Sequence, residues 1–144
     1  MTEKHQLLLN FNNESIDKIN YYRSIVNCSN TAVIVKVLTV FCKDYDDGVD
    51  DTFNHIREYI NNHNYSDLLQ CSNSEFRKKY HQQFLYVYIN DNIYKVLKKL
   101  YYNQNYADNF MRFVSLIFEF TINTKTMSYL LNFNNIYGLS DNGN

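Results

Sequence analysis

Three polar side chains interrupt the most apolar run of the chain, "NFMRFVSLIFEFTIN", residues 109–123. Arg112, Ser115 and Glu119 stand three and four positions apart, so on a helix they share one face. Such a row is either the solvent-facing side of a helix that packs in the core or a surface that faces a binding partner. We predict that the stripe is reached by solvent and binds a protein or peptide partner. A closed, buried pair of Arg112 and Glu119 is the alternative.

An acidic segment, "DYDDGVDD" at residues 44–51, has the carboxylates of a calcium-binding loop. A helix–loop–helix calcium site also needs a glycine at the middle of the loop and a bidentate glutamate at its end. Counted from Asp44, Gly48 comes one position early, and His55 stands where the glutamate belongs. The spacing therefore predicts a solvated loop between two helices and no calcium site.

Histidine and cysteine form no recognisable catalytic or metal motif. The cysteines show no C-x-x-C pair, and no glycine-rich phosphate loop or GxSxG nucleophile motif occurs. The histidines form no ligand pair at helical spacing: His5, His55, His63 and His81. We therefore expect no catalytic residue, no metal and no cofactor, and predict that the protein is not an enzyme. A cysteine–histidine pair assembled only by the fold is the one route to catalysis that the sequence leaves open.

Composition limits the class of protein and of partner. With 144 residues the chain can build one domain with a core, and 17% aromatic residues argue against disorder. A net charge of −1 gives no basic field for a nucleic acid, so none is expected as a partner. No apolar run approaches the roughly 20 residues of a membrane span. The sequence leaves self-association open.

The cysteine count predicts the compartment. Cys28, Cys42 and Cys71 are an odd number at wide spacing, which favours free thiols in a reducing environment. The start, "MTEKHQLLLNFNNES", has only three consecutive leucines and does not resemble a secretory signal. We therefore predict a cytoplasmic protein.

The fold class follows from the missing chain breakers. The chain has no proline and three glycines, which suits uninterrupted helices better than strands and turns. We predict an all-α domain over 13–137, an N-terminal segment over 1–12 and a frayed polar tail over 138–144. Apolar spacing predicts eight helices: 14–27, 30–45, 50–62, 65–71, 72–89, 90–104, 106–123 and 124–136.

Part of this pattern occurs twice. "IDKINYYRSIVN", a short polar turn and "TAVIVKVLTVFCK" match "IYKVLKKLYYN", a second turn and "YADNFMRFVSLIFEF". An amphipathic helix follows each apolar one. The two junctions are separated by about two periods of the 40-residue class of helical solenoids, with residues 72–89 as the middle copy.

The last copy, "IYKVLKKLYYNQNYADNFMRFVSLIFEFTINTKTMSYLLNFNNIYGL", resembles an armadillo repeat through "VLKKLYYNQN", "FVSLIFEFTIN" and "MSYLLNFNNI". The resemblance implies a short armadillo-like α-solenoid of about three repeats that acts as a protein-binding adaptor or scaffold. Its groove of stacked helices would hold an extended peptide, and the peptide-binding positions of the family fall on Ser115 and Glu119.

A second resemblance predicts a different shape. "NFMRFVSLIFEF" is similar to the central-helix motif of the apoptosis-regulator family at Asn109 and Arg112. It implies a compact helical bundle, of a viral type, that captures a partner helix to modulate host signalling or cell death. Both resemblances predict a non-enzymatic protein that binds another protein.

Overall fold

The structure is a computed structural model that describes residues 3–46, 52–79 and 83–132. Within these ranges the chain forms mostly helices, as the sequence predicts, and also a small sheet that was not predicted. In chain order the elements are β1 (Lys4–Phe11), α1 (Asn13–Val26), α2 (Asn30–Asp46), α3 (Thr52–His63), α4 (Ser66–Gln70), α5 (Asn73–Lys79), β2 (Gln83–Asn90), α6 (Asp91–Tyr102), α7 (Phe110–Thr124) and α8 (Met127–Asn132).

β1 and β2 pair in antiparallel direction and form a two-stranded sheet, which we call the ribbon. Successive side chains of a strand point to opposite sides, so the ribbon has two different faces. The side chains of its inner face are buried: Leu7, Leu9 and Phe11 of β1, and Val87 and Ile89 of β2. This face packs on α2 and α7, so the ribbon is part of the main core.

An asparagine turns the chain from each strand into the following helix. The side-chain oxygen of Asn12 accepts the N–H of Ser15 in α1, and that of Asn90 accepts the N–H of Ile93 in α6. Both asparagines have extended backbones with nearly equal angles. Such a cap satisfies a free N–H of the first helical turn and fixes the corner between strand and helix.

The chain contains the unit strand–helix–helix twice, as β1–α1–α2 and as β2–α6–α7. Asn12 and Asn90 stand 78 positions apart, and so do Leu8 and Tyr86, which face each other across the ribbon. Equivalent strands that meet at equivalent residues are related by a local twofold axis, which here passes between Leu8 and Tyr86. The helices follow this symmetry, because α7 packs on β1, α2 packs on β2, and α2 packs on α7.

The two central helices, α2 and α7, carry the most deeply buried side chains. Those without exposed surface include Val33, Ile34, Val37 and Leu38 in α2 and Phe113, Val114, Ile117 and Phe118 in α7. These positions recur at spacings of three and four, so a wide face of each helix is apolar. The burial agrees with the prediction that these two helices form the spine of the domain.

Two stretches differ from the predicted all-α organisation. Residues 72–89, predicted as one helix and as the middle repeat copy, form α5 and then β2. The predicted N-terminal segment, residues 1–12, contains β1, which takes part in the core. The helical content of the prediction is confirmed, whereas the solenoid of three repeats stays a prediction. The predicted tail, residues 138–144, lies outside the described residues.

Candidate functional site

The predicted stripe on α7 is covered by protein. Arg112, Ser115 and Glu119 share one helix face, as their spacing predicts, but they are only 6%, 6% and 4% exposed. Side chains of α4 and α5 lie against the same face. The expectation that solvent reaches the stripe is therefore corrected, while its role in partner binding stays a prediction. We call these three residues the polar seam.

Arg112 binds the carboxyl end of α4. Its Nη1 donates to the carbonyl oxygens of Leu68 at 3.3 Å and Cys71 at 2.7 Å, and Nη2 donates to Oδ1 of Asn73 at 3.0 Å. The guanidinium also lies over the ring of Phe76, 4.2 Å from its centroid. The last carbonyls of a helix lack partners within it and carry partial negative charge, so a cation there satisfies them. Arg112 therefore fixes both α4 and α5 to α7.

Glu119 joins α7 to α3 and to the link between α3 and α4. Its Oε2 accepts hydrogen bonds from the hydroxyls of Tyr59 and Tyr65, both at 2.7 Å. Burial, together with the carboxylate of Glu119, raises the pKa of Tyr59 and the pKa of Tyr65. Both phenols therefore keep their protons and act as donors to a buried carboxylate, which is a strong type of hydrogen bond.

Ser115 connects the seam to the ribbon, and one oxygen beside it lacks a partner. Oγ of Ser115 donates to the carbonyl of Met111 at 2.8 Å and accepts the backbone N–H of Asn10 at 3.0 Å. In the described part of the chain, no donor reaches the buried Oδ1 of Asn10. Asn10 lines a cavity of about 20 Å³ together with all three seam residues.

The other side of the ribbon is open to solvent. Phe84, Tyr86 and Tyr88 follow one another on one side of β2 and are 43%, 62% and 52% exposed. The hydroxyl of Tyr88 accepts a hydrogen bond from the side-chain amide of Gln6 at 2.9 Å. Contiguous exposed apolar side chains mark contact surfaces in soluble proteins. We call this surface the outer face; its side chains are Lys4, Gln6, Leu8, Phe84, Tyr86 and Tyr88.

At one end of the ribbon, His5 joins β1 to α6. Its Nε2 lies 2.9 Å from Oδ1 of Asp91, and its ring stacks on Tyr94 at 3.7 Å. Hydrogen bonds from Lys95 and then from His5 hold the pKa of Asp91 below its ordinary value. Glu3, His5 and Asp91 offer ligand atoms within 4.8 Å of one another, which a metal ion would need. Because Lys95 already binds Asp91 at 2.9 Å, we interpret the group as a structural anchor.

A wider cavity, of about 390 Å³, lies between α2, α3 and α7. Phe41 and Phe120 form apolar parts of its wall, and an ion pair of Asp44 and Lys125 at 2.7 Å forms a polar part. His55 also lines it, but the described lining residues include no cysteine or serine that could act as a nucleophile beside it. A cysteine–histidine pair, which the sequence left open, is therefore not assembled among the described residues of this cavity.

Comparison with protein-family models, with curated proteins and with solved structures finds no match. Both family resemblances of the sequence therefore stay predictions. Among the described helices, none is by itself long and apolar enough to cross a membrane. α1 and α2 reach that length only together, and they meet at a bend of 103°.

Proposed function

We propose that the chain is a non-enzymatic protein-binding adaptor and that the outer face of the ribbon is its binding surface. The observation that carries this proposal is the exposed row of Phe84, Tyr86 and Tyr88. Large rings supply contact area at low cost in side-chain entropy, and tyrosine is enriched where proteins meet. The row is held rigidly because the alternating residues of β2, Val87 and Ile89, are fixed in the core.

The two halves of the outer face suggest the chemistry of the partner. β2 offers aromatic rings, whereas β1 offers the amine of Lys4 and the amide of Gln6. A matching partner places apolar side chains over the rings and a carboxylate or carbonyl oxygen near Lys4. The net charge of −1 makes the general attraction to a polyanion weak, which favours a protein over a nucleic acid.

The armadillo-like solenoid and the cytoplasmic location stay predictions. The two matched units support a repeat, but an armadillo-like solenoid with a groove of stacked helices is not required for binding at the outer face. The proposal includes the cytoplasmic location, which is supported by the lack of a disulfide bond among Cys28, Cys42 and Cys71.

A pair of matched variants tests the proposal. Tyr86→Ser with Tyr88→Ser removes two rings of the outer face, whereas Tyr102→Ser removes an even more exposed ring from α6. Proteins captured from the native cell by the wild type are identified, purified and titrated against each variant. We expect the double variant to lose about tenfold or more in affinity, and Tyr102→Ser to bind as the wild type does. Equal affinities for all three chains would remove the outer face from the binding surface.

Duplex DNA is a second candidate partner, favoured by one geometric observation. A two-stranded antiparallel ribbon is one of the few protein elements that fit the major groove. Lys4 lies on the outer face, and Lys98 lines an adjacent cleft at the start of α7. Anisotropy of a labelled mixture of random duplexes at low salt tests this candidate. Binding that falls steeply with salt and is lost in Lys4→Glu would select DNA over protein.

A further inference from the structure

We propose that the polar seam forms one wall of a second binding groove, and that α4 and α5 are its resident, displaceable occupants. The groove lies on α7 beside β1 and is lined by Asn10, Arg112, Ser115, Leu116 and Glu119. The partner is a short amphipathic helix of another protein, which binds as α4 binds now. The groove and the outer face use different residues, so either proposal can fail without the other.

The contacts of α4 show which chemistry the groove recognises. α4 has only five residues and is too short to be stable without its neighbours. Leu69 is its buried anchor, and Arg112 binds the carbonyl groups at its carboxyl end. Every helix ends in free carbonyl groups, so Arg112 recognises a helix end, and the side chains of Asn73 and Phe76 in α5 complete its contacts. A competing helix therefore needs a leucine-like anchor and an uncapped carboxyl end.

The resident helices fill the groove incompletely. The remaining cavity of about 20 Å³ is lined in part by Asn10, which is 7% exposed. Among the described residues no donor reaches its Oδ1, and a buried oxygen without a donor destabilises the closed form. A partner helix that places a hydroxyl or amide N–H opposite Asn10 gains a hydrogen bond that α4 does not supply.

A turn at Asn64 separates α4 and α5 from α3, and in the proposal the two helices leave together about this turn. Asn64 has a φ of 56°, the left-handed region in which the chain changes direction between α3 and α4. α4 and α5 also pack on each other. Their departure breaks the contacts of Arg112, the bonds from Tyr65 to Glu119 and from Gln70 to Tyr106, and the burial of Leu69 and Phe76. It leaves the packing of α2 on α7 in place.

Hydrogen exchange of the intact wild-type chain tests the opening step. We expect the amides of α4 and α5 to exchange at least about 100-fold faster than those of α7, because they open without global unfolding. Equal protection of α4 and α7 would show that the resident helices leave only when the whole domain unfolds. That result would overturn the proposal.

A peptide added in trans tests the groove itself. The probe is a labelled peptide of residues 64–79 carrying Cys71→Ser, and the receptor is the full chain with Leu69→Ser and Phe76→Ser. We expect the peptide to bind this receptor at least about tenfold more tightly than the wild type, whose groove is occupied. Leu69→Ala alone is the receptor if the double variant loses its helical signal. A folded receptor that does not bind the peptide would overturn the proposal.

A further substitution in the receptor shows where the peptide binds. Arg112→Gln should lower the affinity for the peptide, because it removes the cation that binds the helix end. Arg23→Gln changes an exposed arginine on α1 and should leave the affinity unchanged. Equal losses in both variants would place the peptide elsewhere and overturn the assignment of the groove.

Discussion

The outer face exposes three aromatic rings, whereas the polar seam buries an arginine and a carboxylate. The difference does not follow from residue type, which would put the rings inside and the charges outside. It follows from what each surface meets. Tyr86 and Tyr88 of the outer face are mostly exposed to solvent, while the seam contacts the carbonyl groups of α4 and two tyrosine hydroxyls.

The two units related by the local twofold axis differ in the residues at the seam positions. α2 and α7 are aligned by their capping residues, Ser29 and Asn109, which stand 80 positions apart. With this offset, the residues of α2 that correspond to the seam are Ala32, Val35 and Thr39. None of them is charged. Only the α7 unit receives α4 and α5, whose helix end and nearby hydroxyls need polar partners. The stripe within this apolar helix is therefore explained by the segment that it binds.

The largest expected effect comes from breaking the core that both surfaces share. Val37→Asp in α2 and Val114→Asp in α7 each place a charge at a site with no exposed surface. Each should lower the free energy of unfolding by several kcal/mol, because the carboxylate loses water and finds no partner. Val26→Asp, at an exposed position of α1, is the control. Chemical denaturation in which either core variant unfolds at the wild-type midpoint would refute the core assignment.

The second-largest loss of stability is expected for substitutions in the polar seam. Arg112→Ala leaves the carbonyls of α4 without a donor, and Glu119→Ala leaves the hydroxyls of Tyr59 and Tyr65 without this acceptor. We expect each to cost about 3 kcal/mol in chemical denaturation. The exposed pair on α3, Arg57→Ala and Glu58→Ala, should each cost under about 1 kcal/mol. If the seam variants lose as little stability as these controls, the polar seam is accessible to water.

The stability of the protein at alkaline pH should depend on the tyrosine hydroxyls that bind the polar seam. A raised pKa in the folded state means that the stabilisation is complete below the ordinary tyrosine value of 10.0 and is lost as the pH rises above it. Tyr65→Phe removes one such group, so the stability of this variant should fall less steeply above pH 10.0. The slopes should differ by up to about 1.4 kcal/mol per pH unit. Parallel slopes for wild type and variant would argue against a buried phenol at this position.

The comparison also shows what local sequence patterns can predict. Spacings of three and four locate the central helices and place Arg112, Ser115 and Glu119 on one face. These spacings do not tell which elements cover that face, because α4 and α5 lie about 40 positions earlier in the chain. Sequence spacing therefore predicted the shared face of the seam but not its burial.

The ribbon was missed for a related reason. Three consecutive leucines, residues 7–9, hide the alternation of β1, and "FLYVYI" in β2 suits a helix or a strand equally well. The choice between helix and strand is decided by pairing between two segments 78 positions apart, which is a long-range interaction. The two outer copies of the predicted repeat correspond to the helix pairs α1–α2 and α6–α7, whereas the predicted middle copy, residues 72–89, is not one helix.

The outer face should contribute little to stability. Tyr86→Ser removes a ring that is already mostly in water and a cross-strand contact with Leu8. We expect a loss below about 1 kcal/mol in chemical denaturation, since cross-strand pairs contribute on that scale. A loss as large as that of the seam variants would mean that the ring is buried by another part of the chain or by a second copy.

The smallest effect is expected at the end of the ribbon, where Asp91 binds Lys95 and His5. Because these bonds lower the pKa of Asp91 in the folded state, its stabilisation is present above the ordinary carboxyl value of 3.8 and is lost as the pH falls below it. Asp91→Asn should therefore flatten the fall in stability below pH 3.8. Asp17→Asn, at an exposed aspartate of α1, is the matched control. Denaturation curves at several acidic pH values give the measurement, and an equal pH dependence in wild type and Asp91→Asn would show that the anchor does not hold β1 to α6 in solution.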